Sequence, residues 1–318
     1  MDTRRKLHQF FSSLPVGMAK FVAFDLDATI GSFELIGPWS SIFNVETVEN
    51  SVVLSAGLKR RMRIAEDMFI EKIKANKKIM EHIFRPNLDE LIIPLIKAKR
   101  AGKVRAVCIY SNTSETFTMY FAKKIIEERY SCAKFFDCLV DATHPIRKYD
   151  WDKNTEDALQ PLKTFHGLKK IFRTLCNVKN TIRPENVLFV DDRSEKHHLE
   201  AEEKNGLTYL HVESYVPEFS EDVRKEAYMV GLQVLLETNL VDYPPFLSSE
   251  IFYRSQKVFD AQTLKTISVN GFFSLLKFVE AELINPLQPS APFKGDDTLI
   301  RKTVAEFLSD STNFQKKK

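Results

Sequence analysis

Apolar positions along this chain come in two rhythms. Short runs with little or no polar face occur at Phe21-Val22-Ala23-Phe24, over 104–110, at Val187-Leu188-Phe189-Val190 and over 207–212. Such runs read as strands buried on both sides, and 136–140 reads as one more. Between them apolar residues return at helical spacing. Met62, Ala65, Met68, Phe69 and Ile73 mark a single long helix over 58–83. Asn87 is placed to cap a helix over 88–99 that Gly102 ends, and Ser114 to cap one running to about residue 130. A further helix covers about 166–176, and a short one follows Asp192. Residues 141–162, rich in His, Pro, Asp, Trp and Asn, read as a long loop. Strands alternating with helices predict an α/β fold, a parallel sheet with helices on both faces.

Composition adds limits. The chain has 318 residues, 44% hydrophobic and 28% charged, which is enough apolar material for one large domain or two smaller ones. A net charge of +3 gives no argument for nucleic acid. The 25 phenylalanines point to aromatic core packing. Cys108, Cys132, Cys138 and Cys176 form no CxxC pair and fit no common zinc spacing, so they read as free core thiols in a reducing compartment. No run reaches the length of a membrane span, and the apolar stretch behind Arg4-Arg5-Lys6 is broken by Ser12, Ser13 and Pro15. The expectation is a cytoplasmic or nuclear protein with no membrane partner.

The chemistry concentrates where strands end. The first strand runs into Asp25-Leu26-Asp27-Ala28-Thr29, the second into Ser111-Asn112, the fourth into Asp191-Asp192. Lys163 stands before the helix that precedes the fourth strand. In a parallel sheet, ligands bind beyond the carboxyl ends of the strands. Asp25, Asp27, Ser111, Lys163, Asp191 and Asp192 are therefore expected to converge on one crevice. Asp-x-Asp alone is also a common turn sequence, so the weight lies in four such segments occurring in order.

Those segments resemble the four motifs of the haloacid-dehalogenase-like phosphatases over about residues 20–212. Phe84-Arg85-Pro86-Asn87-Leu88-Asp89-Glu90-Leu91 is similar to the Arg-Pro segment of the phosphatases acting on the C-terminal domain of RNA polymerase II. Gly295-Asp296-Asp297-Thr298-Leu299, with Phe307-Leu308 beyond, resembles that family's C-terminal helix. The resemblance implies a Rossmann-like catalytic core over 1–30 and 84–212. It departs from the family at 31–83, a helical insertion and candidate cap where a small β insertion is usual. It departs again at 213–294, where the family has only a short connection; the whole of 213–318 reads as a mostly helical extension, with 295–309 expected to pack back on the core. Lys163 takes the place of the third-motif lysine, with Lys169 and Lys170 as alternatives.

The implied activity is Mg²⁺-dependent hydrolysis of a phosphomonoester, with Asp25 as nucleophile and Asp27 as general acid and base. Asp25, Asp191, Asp192 and the backbone carbonyl of Asp27 are the expected metal ligands. Thr29, Ser111, Asn112 and Lys163 are the expected phosphate-binding residues, with Thr29 also placed to hold the loop or orient Asp27. The narrower family implies a phosphoserine or phosphothreonine protein as substrate. A small phosphometabolite, a nucleic-acid 3′-phosphate, or a non-enzymatic interaction role on the same fold are the alternatives. Arg85 reads as a helix-start residue in preference to a substrate ligand, Arg147 as a solvated loop residue with phosphate binding as the alternative, and the basic helix at 58–83 as a solvated face, a lid or a docking surface. His144, His166 and His197-His198 carry no assigned role.

Overall fold

The computed structural model describes residues 19–37, 39, 43, 55–113, 116–148, 163–193, 206–240, 293 and 295–309. The expected cap at Ser114, the short helix after Asp192, His197-His198 and most of the expected extension beyond residue 240 lie outside the described residues. Five strands, β1 (Lys20–Phe24), β2 (Val104–Tyr110), β3 (Cys138–Val140), β4 (Val187–Asp191) and β5 (Thr208–His211), form one sheet in the order β3-β2-β1-β4-β5. All four pairings are parallel. The helices are α1 (Ala56–Ala75), α2 (Lys77–Ile83), α3 (Leu88–Arg100), α4 (Thr116–Arg129), α5 (Phe165–Thr174), α6 (Glu221–Glu237) and α7 (Asp297–Leu308). Among them none is long and apolar enough to cross a membrane.

Period-two alternation in β1 divides the core. Val22 and Phe24 point into a cluster with residues of α1, α2, α3, α4, α6 and α7, among them Phe69, Leu91, Phe117, Val234 and Val304. Phe21 and Ala23 point the other way, onto Leu168, Ile171 and Phe172 of α5. Burial on both faces is why these strands carry almost unbroken apolar runs. Among the described residues most phenylalanines sit in this interior, for instance Phe69 tilted against Phe43 and Phe117, and Phe24 edge-on to Phe136.

The chain steps outward from β1 to β2 and β3, then crosses behind β1 to place β4 and β5 on its other side. Strand order therefore reverses between β1 and β4, and open parallel sheets leave a crevice at such a point. Register puts Phe24 beside Val190, so Asp25 and Asp191 are the next residues out on adjacent strands.

The stretch expected as one helix over 58–83 is two. Asn76 has extended backbone, gives its N–H to Ile73 O at 3.0 Å, and accepts from Ile79 N through Oδ1 at 3.2 Å. It ends α1 and caps α2, because a short amide side chain competes with the helix for backbone partners. A second departure concerns Asn87. It precedes α3 but makes no side-chain cap; its Oδ1 instead accepts from Arg85 Nε at 2.5 Å.

The helices α1 and α2 lie within the helical layer. Met62, Ala65, Phe69, Ile70 and Ile73 are buried in it, the larger side chains contributing roughly 1.5–3 kcal/mol each when fully enclosed. Lys74 pairs with Glu128 of α4 at 2.5 Å, Lys72 with Glu237 of α6 at 3.1 Å, and Lys78 with Glu226 at 2.8 Å. These exposed pairs add little apiece, but they fix the direction of the contact. The helix α7 packs along α3 through Ile300, Val304 and Phe307, with Arg301 on Glu90 at 2.6 Å. Its end is tied to β1, where Lys20 Nζ donates to Ser309 O at 2.9 Å.

Candidate active site

The loop after β1 is tightly closed. Asp25 N still donates to Val190 O at 2.8 Å, extending the β1–β4 pairing by one residue. Ala28 then turns with φ of 58°, a left-handed conformation that strains a residue with a Cβ. Ala28 N donates to Gly31 O at 2.7 Å, and Tyr215 N to Ala28 O at 2.8 Å. Gly31 meets the chain returning from α2: Ser32 N donates to Ile83 O, and Arg85 N to Ile30 O. A Cβ on Gly31 would stand 2.2 Å from Ile83 O, so only glycine allows the two segments this close. The loop holds Asp25 at 5% exposure and leaves Asp27 exposed.

Among the described residues, three carboxylates and one ammonium meet at the β1–β4 crevice. Lys163 Nζ lies 2.7 Å from Asp25 Oδ1 and 2.9 Å from Asp191 Oδ2. The contact with Asp191 is a hydrogen bond. The contact with Asp25 is an ion pair without hydrogen-bond geometry, so Asp25 Oδ1 is buried with no hydrogen-bond donor. Thr164 caps α5 by accepting from Gly167 N at 3.0 Å. Lys163 is thus the residue just before the cap, directed at the strand ends. Lys170 is used elsewhere, donating to Ile146 O at 2.7 Å.

Oxygens of Asp25, Asp191 and Asp192 all lie within 4.8 Å of one another. Two like charges about 5 Å apart at an effective dielectric of about 20 repel by roughly 3 kcal/mol, and one lysine cannot neutralise three carboxylates. Burial pushes the Asp191 carboxyl above its usual range, with Lys163 opposing the shift and Asp25 adding to it. An all-oxygen set with one buried, undonated carboxylate oxygen fits a hard divalent cation. The Asp27 carboxylate is not part of this cluster.

Thr29, expected among the phosphate-binding residues, is fully buried and serves Asp192 instead. Its hydroxyl donates to Asp192 Oδ1 at 3.1 Å and accepts from Asp192 N at 2.9 Å. His211 Nε2 meets Asp192 O at 3.0 Å. At the end of β2, Ser111 N donates to Val140 O, and Ser111 Oγ accepts from Thr113 N at 3.2 Å. An oxygen that accepts from a backbone N–H keeps its own proton to donate. Asn112 lies in a bend after β2, before α4 (Thr116–Arg129).

Two arginines are more deeply placed than the sequence suggests. Arg147, expected to be solvated, is fully buried and donates to Ser111 O at 2.6 Å and Asn112 Oδ1 at 2.7 Å. Its guanidinium lies 4.5 Å from the Tyr110 ring centroid. Arg85 is 1% exposed; it donates to Thr29 O at 2.8 Å and Glu213 O at 3.3 Å, and covers Phe293. Burial pushes its guanidinium down to about 10, far enough above neutral for it to stay charged. No spacing in the sequence marks Arg147, which sits in a polar stretch. Arg85 has a signal only in standing next to Pro86. Comparison of the chain with protein-family models, curated proteins and solved structures finds no match in any of the three.

Proposed function

We propose that this protein is a Mg²⁺-dependent phosphatase that hydrolyses phosphomonoesters through a phosphoryl group carried on Asp25. The observation that carries the reading is Lys163 wedged between Asp25 and Asp191, with Asp192 alongside, at the point where strand order reverses. The resemblance of these segments to haloacid-dehalogenase-like phosphatases, noted from sequence, agrees with it.

The residues divide the reaction as follows. Asp25 attacks phosphorus, the new acyl–phosphate bond forms as the ester P–O bond breaks, and Asp27 gives its proton to the leaving oxygen. Water then attacks the same phosphorus, Asp27 takes the proton, and phosphate leaves with Asp25 restored. Splitting one displacement into two is the logic of covalent catalysis, and an exposed carboxylate two residues on suits proton transfer to and from solvent. Lys163 holds Asp25 in place. Ser111 offers its hydroxyl proton to a phosphate oxygen. Asp25, Asp191 and Asp192 would hold the cation, which when bound supplies positive charge against the phosphoryl oxygens. Thr29 and Arg85 fix Asp192 and the loop.

The substrate is proposed to be a phosphoserine or phosphothreonine in a protein. A helical cap favours small molecules, but α1 and α2 are packed into the helical layer on α4 and α6, which supports a scaffold role for 56–83. The test is hydrolysis of an aryl phosphate with Mg²⁺ and with chelator, by wild type and Asp25→Asn. Activity surviving both changes would sink the covalent mechanism. Phosphopeptides, sugar phosphates and 3′-phosphorylated oligonucleotides, compared by kcat/KM, then decide the substrate class; a clear preference for either non-peptide group rejects the protein substrate.

A further inference from the structure

We propose that Arg147 is a positioning residue that shapes the turn at the end of β2 into an anion cradle. The proposal rests on the phosphatase reading and deepens it. A guanidinium can only donate. Its contact with Asn112 therefore identifies the amide oxygen as the atom facing Arg147, which sends the donor end of that amide the opposite way. Its second contact, to Ser111 O, fixes the peptide plane between Ser111 and Asn112. Two parallel contacts from a planar fork set orientation as well as position, which an ammonium cannot do.

Arg147 is itself held from three directions. His144 Nδ1 accepts from Ile146 N at 3.1 Å and caps the short 3₁₀ turn Pro145–Arg147. Lys170 of α5 donates to Ile146 O, coupling this turn to the helix that Lys163 precedes. Tyr110 lies against the guanidinium face. A buried cation so constrained, meeting the two residues expected to receive phosphate, is costly to place. A merely structural turn after β2 could be closed by neutral groups.

The experiment uses the full chain with Mg²⁺ and inorganic phosphate as the probe, read by calorimetry and as competitive inhibition of aryl phosphate hydrolysis. Arg147→Met should weaken phosphate binding about 10- to 100-fold, the range seen when residues orienting a site are removed, and should raise KM more than it lowers kcat. Arg147→Lys should fall between the two. A loss of folded fraction alone would lower kcat and leave the phosphate constant unchanged, so that pattern overturns the proposal. Because Arg147→Met removes a buried group and could fail to fold, Arg147→Lys is also measured in an Asn112→Ala background. The two effects should be non-additive; strict additivity, or binding within twofold of wild type in Arg147→Lys, overturns the proposal. Wild type that binds phosphate without turning over substrate refutes the phosphatase reading, while the binding constants still decide Arg147. Wild type that does not bind phosphate refutes both.

Discussion

Replacing Lys163 by Met removes the ammonium placed between Asp25 and Asp191 while keeping much of its packing volume. At 2.7 and 2.9 Å, and an effective dielectric of about 20, each attraction is worth roughly 6 kcal/mol before desolvation is counted. Desolvation offsets most of that in the intact triad. Once the lysine is gone, both carboxylates stay buried without it, and breaking a buried pair in this way costs about 3–5 kcal/mol. That is a large share of the roughly 5–15 kcal/mol that stabilises an ordinary domain. Urea unfolding of metal-free protein at neutral pH should show that loss, and added Mg²⁺ should return part of it. Asp25→Asn in the Lys163→Met background should also recover stability, because one of the two uncompensated charges is removed. A Lys163→Met protein within about 1 kcal/mol of wild type, or no recovery in the double variant, would refute the buried-triad account.

Other perturbations test separate parts of the structure. Gly31→Ala should cost at least about 2 kcal/mol in urea unfolding, because the new Cβ cannot be accommodated against backbone at Ile83. Thr29→Val should lower divalent-cation affinity about 10- to 100-fold by releasing Asp192, while Thr29→Ser stays near wild type; calorimetry decides it. Phe69→Ala should cost about 3–5 kcal/mol in thermal or urea unfolding, as for a fully buried aromatic residue. If α1 and α2 are scaffold, their amides should exchange with the core helices in hydrogen-exchange measurements; early exchange as a separate unit would return them to a lid role.

The parallel sheet was legible because burial on both faces leaves uninterrupted apolar runs, and each strand came within a residue or two of its place. Asp25, Lys163, Asp191 and Asp192 were legible as a group because parallel strands must deliver their ends to one edge. The break at Asn76 was hidden, since Met62 to Ile83 keeps one apolar stripe across both helices and only the amide's hydrogen bonds reveal the cut. The contact of Thr29 was hidden for a related reason: its partner Asp192 is remote in sequence. Arg147 was the least legible. A charged residue in a polar stretch reads as solvated unless the groups that surround it, here Tyr110, Ser111 and Asn112, are known to fold over it.

The central claim is that Asp25 carries the phosphoryl group. Rapid acid quench of enzyme turning over an aryl phosphate, followed by peptide mass analysis, tests it directly. A phosphoryl group should be found on Asp25 in wild type and be absent from Asp25→Asn. Turnover with no phosphorylated Asp25 at any time point, or a phosphoryl group trapped on a different residue, contradicts the account.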